Sequence, residues 1–387
     1  MGHDEDDNDR KYVSKRDDGC PIEEHYFGRG RKATKKQKKL ASAKDRSKYK
    51  KTDQDQLIKL EAQNKKPVNE LLERGRVLSI VPEGILVESK GVRYNCLLRG
   101  TLKQDKGRDK NLVTVGDFVL FDITGPLEGS IAQVEARKTI LSRADNLSRR
   151  KNQLIAANID QVLIAASVVS PLLKPPLIDR YIIAARKGGL EPVIVINKID
   201  LLEDETVDEG IRADEKELYA HLVDVYQQNE IQVIGVSVTT GVGLETLRQI
   251  MQNKASVFSG QSGVGKSSLI NAITGSVLRI GDMVERTQKG SHTTTTATLL
   301  PLEFGGWCID TPGIKSFGVW DLKQEEIEGY YSEIHACGSQ CHYPNCTHTH
   351  ETDCAVMQAV EQEKISIIRY NSYISLLGSL SQEHMRR

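Results

Sequence analysis

The run Gly260-Gln261-Ser262-Gly263-Val264-Gly265-Lys266-Ser267 places two glycines, a lysine and a hydroxyl at the spacing of a phosphate-binding loop. It follows an apolar run, SVFS, and opens a segment of helical character, Ser267-Ser268-Leu269 onward. Glycines let backbone N–H groups wrap phosphate oxygens, and a helix start adds the positive end of its dipole. Lys266 then reaches the outer phosphates and the Ser267 hydroxyl ligates Mg²⁺. Asn197-Lys198-Ile199-Asp200 follows the apolar strand PVIVI. A carboxylate there accepts both N1–H and N2–H₂ of guanine, whereas adenine would leave it buried and unpaired. Asn197 can bond the base edge and Lys198 can pack across the ring. Ser237, in SVT after IQVIGV, can close over the base.

Asp310-Thr311-Pro312-Gly313 follows GGWCI. In this setting Asp310 holds Mg²⁺ through water and the Gly313 amide senses a γ-phosphate. The run His292-Thr293-Thr294-Thr295-Thr296 lies between the phosphate loop and Asp310, and one of its threonines completes the Mg²⁺ shell, in a register the run leaves open. Ile314 stands where a water-orienting glutamine often follows such a motif, and it cannot orient water. His292 is the best local substitute, because imidazole can hydrogen-bond an attacking water; anchoring the switch or touching RNA is its other reading. The order is base reader, closing loop, phosphate loop, threonine run, then Asp-x-x-Gly. This is a cyclic permutation of the usual GTPase order, which a sheet tolerates when the original termini lie close.

A second chemical centre is Cys341-x4-Cys346-x-His348-x5-Cys354. Three thiolates and one imidazole suit a closed, tetrahedral, structural Zn²⁺. Cys337, His342 and His350 are spare donors nearby, and Cys337 is the alternative to Cys341.

Around these motifs the elements read in three parts. Short alternating strands (RVLSIV, GILVES, VRYNCLL, LVTVGDFVLFDI, GSIAQVEA) separated by turn residues predict a five-stranded barrel of OB type over 75–145. Apolar strand runs alternate with helical patterns over 146–320, which predicts a mostly parallel sheet covered on both faces. Residues 321–387 hold the cysteine cluster and two helical patterns, a small α-helical domain that needs a staple. The fold class is therefore α/β, an OB-like barrel followed by a permuted nucleotide-binding domain and a zinc-binding helical domain.

The 387 residues carry a net charge of zero, which hides local asymmetry. Residues 4–9 hold five acids, and 29–51 hold twelve Lys or Arg against Asp45 alone. Residues 1–70 are too polar to build a core and read as a basic, disordered extension. It is a solubilising tail, an arm that displaces counterions from nucleic acid, or an address signal. No apolar run approaches the roughly 20 residues that cross a bilayer, and the first residues carry no signal-peptide core. Clustered rather than paired cysteines point to a reducing, cytoplasmic setting. No dimerisation heptad is visible, so a monomer is expected.

Residues 75–377 resemble the RsgA (YjeQ) family of circularly permuted GTPases that depend on the small ribosomal subunit. The resemblance rests on the barrel, NKID, GQSGVGKSS, the HTTTT run, DTPGIKSFG, the cysteine cluster and the terminal RYNSYISLL, in that order. It implies slow intrinsic GTP hydrolysis, stimulation by the small subunit, a role in late maturation of that subunit, and rRNA contact through the barrel. It also implies the zinc pattern above and a role for His292. The alternative is an RNA-binding module gated by GTP, in which hydrolysis only times release.

Overall fold

The computed structural model describes residues 72–100, 102, 112–145, 148–274, 297–310 and 322–385, with side chains except at 142–153, 310 and 381–385. Thirteen strands and eight α-helices are named here in chain order.

The barrel strands are β1 (Glu73–Val81), β2 (Gly84–Ser89), β3 (Val92–Leu98), β4 (Phe118–Gly125) and β5 (Glu128–Val134). They run β1-β2-β3-β5-β4, and β4 pairs back on β1 from Glu73↔Phe121 to Arg76↔Phe118, closing the barrel. Only β3 and β5 are parallel. Alternating residues fill the interior: Val77, Val87, Cys96, Val119, Phe121 and Ile131. The register of β1 against β2 shifts between Val77 and Ser79. Such a bulge bends a strand, and beyond it Ser79 pairs with Thr298 of the next domain.

A hairpin of β6 (Ile140–Asp145) and β7 (Ser148–Ala157) leads out of the barrel. Then come β8 (Gln161–Ser167), α1 (Pro175–Lys187), β9 (Glu191–Asn197), α2 (Glu209–Gln228), β10 (Gln232–Gly235), α3 (Leu244–Met251), β11 (Ala255–Gly260), α4 (Lys266–Thr274), β12 (Thr298–Pro301) and β13 (Trp307–Asp310). The sheet order is β10-β9-β8-β11-β13-β12, parallel except for β12. Both faces are dry. On β8, Val162 and Ile164 face a layer that includes α1 and α2, while Leu163 and Ala165 face α3 and α4. Runs without polar alternation are what burial on two faces requires.

The C-terminal part holds α5 (Gln324–Ile327), α6 (Ser332–Gly338), α7 (Ala355–Glu361) and α8 (Ile367–Met385). Its core of Ile327, Tyr331, Ile334, Val356 and Tyr373 is continuous with the layer over α1, against which α8 packs. The basic segment 1–70, the run 292–296 and Gly313 lie outside the described residues.

Candidate functional site

Strand β11 is buried along its length and delivers the phosphate loop at its C-terminal end, mid-sheet. Gly260, Gly263 and Gly265 have φ of 144°, 86° and 91°. A Cβ on Gly260 would lie 2.0 Å from the Ala165 carbonyl of β8, so the loop can start its turn there only without a side chain. Lys266 donates to the carbonyls of Gly260 and Gln261, both at 2.7 Å, which curls the loop over its own ammonium. Burial lowers the pKa of that ammonium. Ser262, Ser267 and Ser268 are exposed, whereas Val264 is buried beneath the loop. This leaves the Ser267 hydroxyl, at the start of α4, open to a cation.

The motif Asn197–Asp200 starts at the last residue of β9, two strands away across β8. Asn197 Nδ2 donates to the Val264 carbonyl at 2.9 Å. The amide therefore ties the motif to the phosphate loop and leaves Oδ1 buried and without a partner among the described residues. Lys198, at φ 64°, donates to the carbonyls of Ser170 at 2.5 Å and Gly263 at 2.8 Å. Ile199 starts a 3₁₀ turn, and its amide donates to Val236 O at 3.3 Å. Asp200 lies in that turn, and its Oδ1 is buried with no partner among the described residues. An orphaned buried carboxylate oxygen is costly unless a ligand satisfies it. Ser237 is fully buried; its hydroxyl accepts from the Thr240 amide at 3.1 Å and its carbonyl from Gly241 at 2.9 Å, shaping the closing loop. Asp310 ends β13, and Ile309 of that strand pairs with Val257 of β11, so Asp310 sits on the phosphate-loop side of the sheet.

Two features of this site were not read from sequence. The loop 168–173 after β8 supplies the Ser170 carbonyl, and Glu215 of α2 accepts hydrogen bonds from that loop. The signal for Glu215 was its position on the same helical face as Leu222 and Tyr226, the buried stripe of α2.

The second centre is compact. Cys341, Cys346, His348 and Cys354 bring their ligand atoms within 4.8 Å of one another, without Cys337. Cys341 Sγ lies 3.8 Å from Cys354 Sγ, and His348 Nδ1 lies 3.5 and 3.4 Å from those two sulfurs. Tetrahedral bonds of ordinary zinc length place two sulfurs about 3.8 Å apart and sulfur and nitrogen about 3.6 Å apart. The donor set thus fits a tetrahedral metal. Burial acts to raise the Cys341 thiol, but the amides of Val356 and Ala355 outweigh it and bring its pKa below the usual value. His348 takes φ 60°, and its carbonyl accepts from Tyr370 Oη at 2.7 Å, so α8 holds the ligand loop. Glu328 Oε2 stands 3.9 Å from His348 Nε2, close enough for charge attraction but beyond a direct hydrogen bond. Glu351 is kept well ionised: burial acts to raise its pKa, but hydrogen bonds from the hydroxyl and amide of Thr347, both at 2.6 Å, and the amide of Thr349 outweigh it.

The family described as RsgA GTPase matches residues 134–320. A relative from Flavobacterium psychrophilum, named small ribosomal subunit biogenesis GTPase RsgA, is 37% identical over 309 residues, 76% of this chain and 92% of its own length. The chain is a member of the RsgA GTPase family. A Chlorobaculum tepidum protein of the same name is 38% identical over 319 residues, 80% of this chain and 98% of its own. Among solved RsgA-like structures, YjeQ from Thermotoga maritima superposes with a TM-score of 0.64 at 33% identity, covering 80% of this chain and 99% of that one. YloQ, described as a circularly permuted GTPase, gives 0.61 at 25% identity over 82% and 99%. The order of motifs and the placing of β11 mid-sheet are therefore those of a permuted GTPase, and as an RsgA GTPase the chain hydrolyses GTP.

Proposed function

We propose that this chain is a GTPase of small ribosomal subunit biogenesis, which binds the immature subunit as the GTP form, hydrolyses when docked, and leaves as the GDP form. The observation that carries the nucleotide reading is Asp200 Oδ1, buried and without a partner among the described residues, in a motif hydrogen-bonded to the phosphate loop through Asn197. The subunit reading is supported by the relatives' shared name, small ribosomal subunit biogenesis GTPase. Asn197, Lys198, Ile199, Asp200 and Ser237 form the base site, residues 260–268 the phosphate site. Ser267 and, through water, Asp310 hold Mg²⁺, which when bound neutralises charge on the transferring phosphoryl group. Gly313 senses the γ-phosphate, and His292 orients the attacking water once the subunit orders the switch. Zn²⁺ at Cys341, Cys346, His348 and Cys354 is structural, because four protein ligands leave no open position.

The division of labour follows the three parts: the barrel of 75–145 and the basic extension 1–70 contact rRNA, 146–320 hydrolyses GTP, and 321–387 braces the assembly. The protein works as a cytoplasmic monomer; no helix among the described residues is long and apolar enough to cross a membrane. The test is steady-state GTP hydrolysis by the protein alone and with mature small or large subunits. Acceleration by the small subunit alone is the expected result. GTP binding with no acceleration by either would replace this reading with a GTP-gated RNA-binding module.

A further inference from the structure

Glu215 is 5% exposed in the body of α2, on the face that also buries Leu222 and Tyr226. Its carboxylate turns toward the loop between β8 and α1. Oε2 accepts the Val169 amide at 3.0 Å, and both oxygens accept the Leu173 amide, at 3.2 and 3.1 Å. These two amides bracket a tight reversal. The Ser170 amide donates to Val168 O at 2.7 Å, two residues back, around Val169 at φ 65°. A β-branched residue in the left-handed region is rare and persists only where its surroundings hold it. Ser167 Oγ donates to Pro171 O at 2.8 Å and fixes the far side. The product of this turn is one exposed backbone oxygen, Ser170 O, and it receives Lys198 Nζ. The same ammonium reaches Gly263 O of the phosphate loop.

We infer that Glu215 is a positioning residue for the base site. It holds the strained turn at Val169 so that the Ser170 carbonyl pins the Lys198 ammonium, and the lysine stem then lies extended where a guanine ring packs. This rests on the reading that Lys198 covers the base. The charge matters as well as the shape: Oε2 accepts from both amides and Oε1 from Leu173, whereas Glu215→Gln keeps one acceptor oxygen and turns an N–H₂ toward the Leu173 N–H.

The test is titration of fluorescent GDP into the full-length protein, with GTP kinetics alongside. Glu215→Gln is expected to weaken GDP about tenfold, as the loss of a charge-assisted contact does. KM for GTP should rise similarly with kcat within about twofold, since a base contact serves ground and transition states alike. A role in folding alone would not produce that split. In a Lys198→Ala background, Glu215→Gln should add less than about twofold, because the two act through one contact; losses that multiply in full would overturn the inference. Val169→Gly keeps both amides and frees the turn, so it should weaken GDP while the thermal midpoint holds or rises. If Glu215→Gln does not fold, unchanged GDP affinity in Val169→Gly overturns the inference instead. Unchanged affinity in Lys198→Ala would remove the base reading and this inference with it. A weakened Lys198→Ala beside an unaffected Glu215→Gln would remove this inference alone.

Discussion

Arg369 and Asp179 stand 190 positions apart and form an ion pair that is almost completely buried. Arg369 Nε also donates to Glu333 at 2.7 Å, and the guanidinium lies 4.4 Å from the Tyr331 ring centroid and 5.3 Å from that of Tyr226. The pair joins α8 to α1, and α1 begins just after the loop that reaches Lys198. Removing one partner leaves the other charged in a dry site, which costs about 3–5 kcal/mol. Arg369→Met should lose stability of that order in urea unfolding at pH 7, and Arg369→Met with Asp179→Leu should recover most of it. A loss below about 1 kcal/mol for Arg369→Met would deny the pair its role. Burial pushes Asp179 up to about 6, and Arg369 keeps it from rising further. A raised acid favours the folded state when protonated, so its contribution is present at low pH and is lost as pH rises through about 6. Without Arg369 the carboxyl takes up its proton above that pH, so the penalty of Arg369→Met should shrink as pH falls toward 6 and level off below it.

Replacing Asp200 by asparagine exchanges an acceptor for a donor at the guanine edge. Discrimination built on buried hydrogen bonds can be large, about 10⁴-fold or more when a partner is lost outright. Asp200→Asn should lose at least about a hundredfold in GDP affinity and gain in affinity for xanthosine diphosphate. Competition between the two nucleotides measures both, and a retained preference for GDP would contradict the assignment of Asp200.

Gly265 offers a test of how the two motifs are joined. A Cβ there would stand 2.4 Å from Asn197 Nδ2, at a φ of 91°. Gly265→Ala must therefore displace the amide that donates to Val264, besides the 1–2 kcal/mol or so of a left-handed residue. We expect GDP binding to fall more than about tenfold while the melting temperature drops by only a few degrees. A fall in stability alone, with affinity preserved, would separate the phosphate loop from Asn197.

Thiol reactivity distinguishes the metal ligands from the core cysteines. Cys96 is fully buried in the barrel, and burial pushes its thiol up to about 11; Cys308 is buried in β13. In a Cys20→Ser background at pH 8, a strong chelator should expose Cys341, Cys346 and Cys354 to a thiol reagent and release zinc in step. Cys96 and Cys308 should stay silent until the protein unfolds. Three extra reactive thiols without zinc release would leave the cluster without its metal.

Motifs whose chemistry depends on local spacing were legible, because a phosphate loop or a Cys₃His loop is built from neighbours. The five barrel strands were legible for the same reason, each alternating with period two. β12 was not, since the four residues Thr298–Pro301 are too few to show a period, and its partners β1 and β13 are supplied from elsewhere. The β6–β7 hairpin hides in a polar stretch, SRRKNQ, and crosses residue 146, where sequence alone placed the end of the barrel. Asp179 and Arg369 are charged residues on α1 and α8, where a charge in sequence ordinarily reads as part of a solvated face. Only the folded neighbours of these residues show that they are buried, and no spacing within a helix names a partner 190 residues away.

The permuted order also decides what exists first on a growing chain. Chains fold as they emerge, N-terminal parts first, so β8, β9 and β10 are complete before β11 has been made. Until then β8, buried at every position in the finished protein, is an open edge with bare amides and two greasy faces. In the usual motif order the central strand is made early and its neighbours add to it. Here the strand bearing the phosphate loop comes late and adds to the waiting edge of β8, and β13, made later still, covers its other side. The half-built domain is thus sticky for as long as translation of residues 168–254 lasts, and a nascent chain stalled before Ala255 would aggregate or recruit a chaperone.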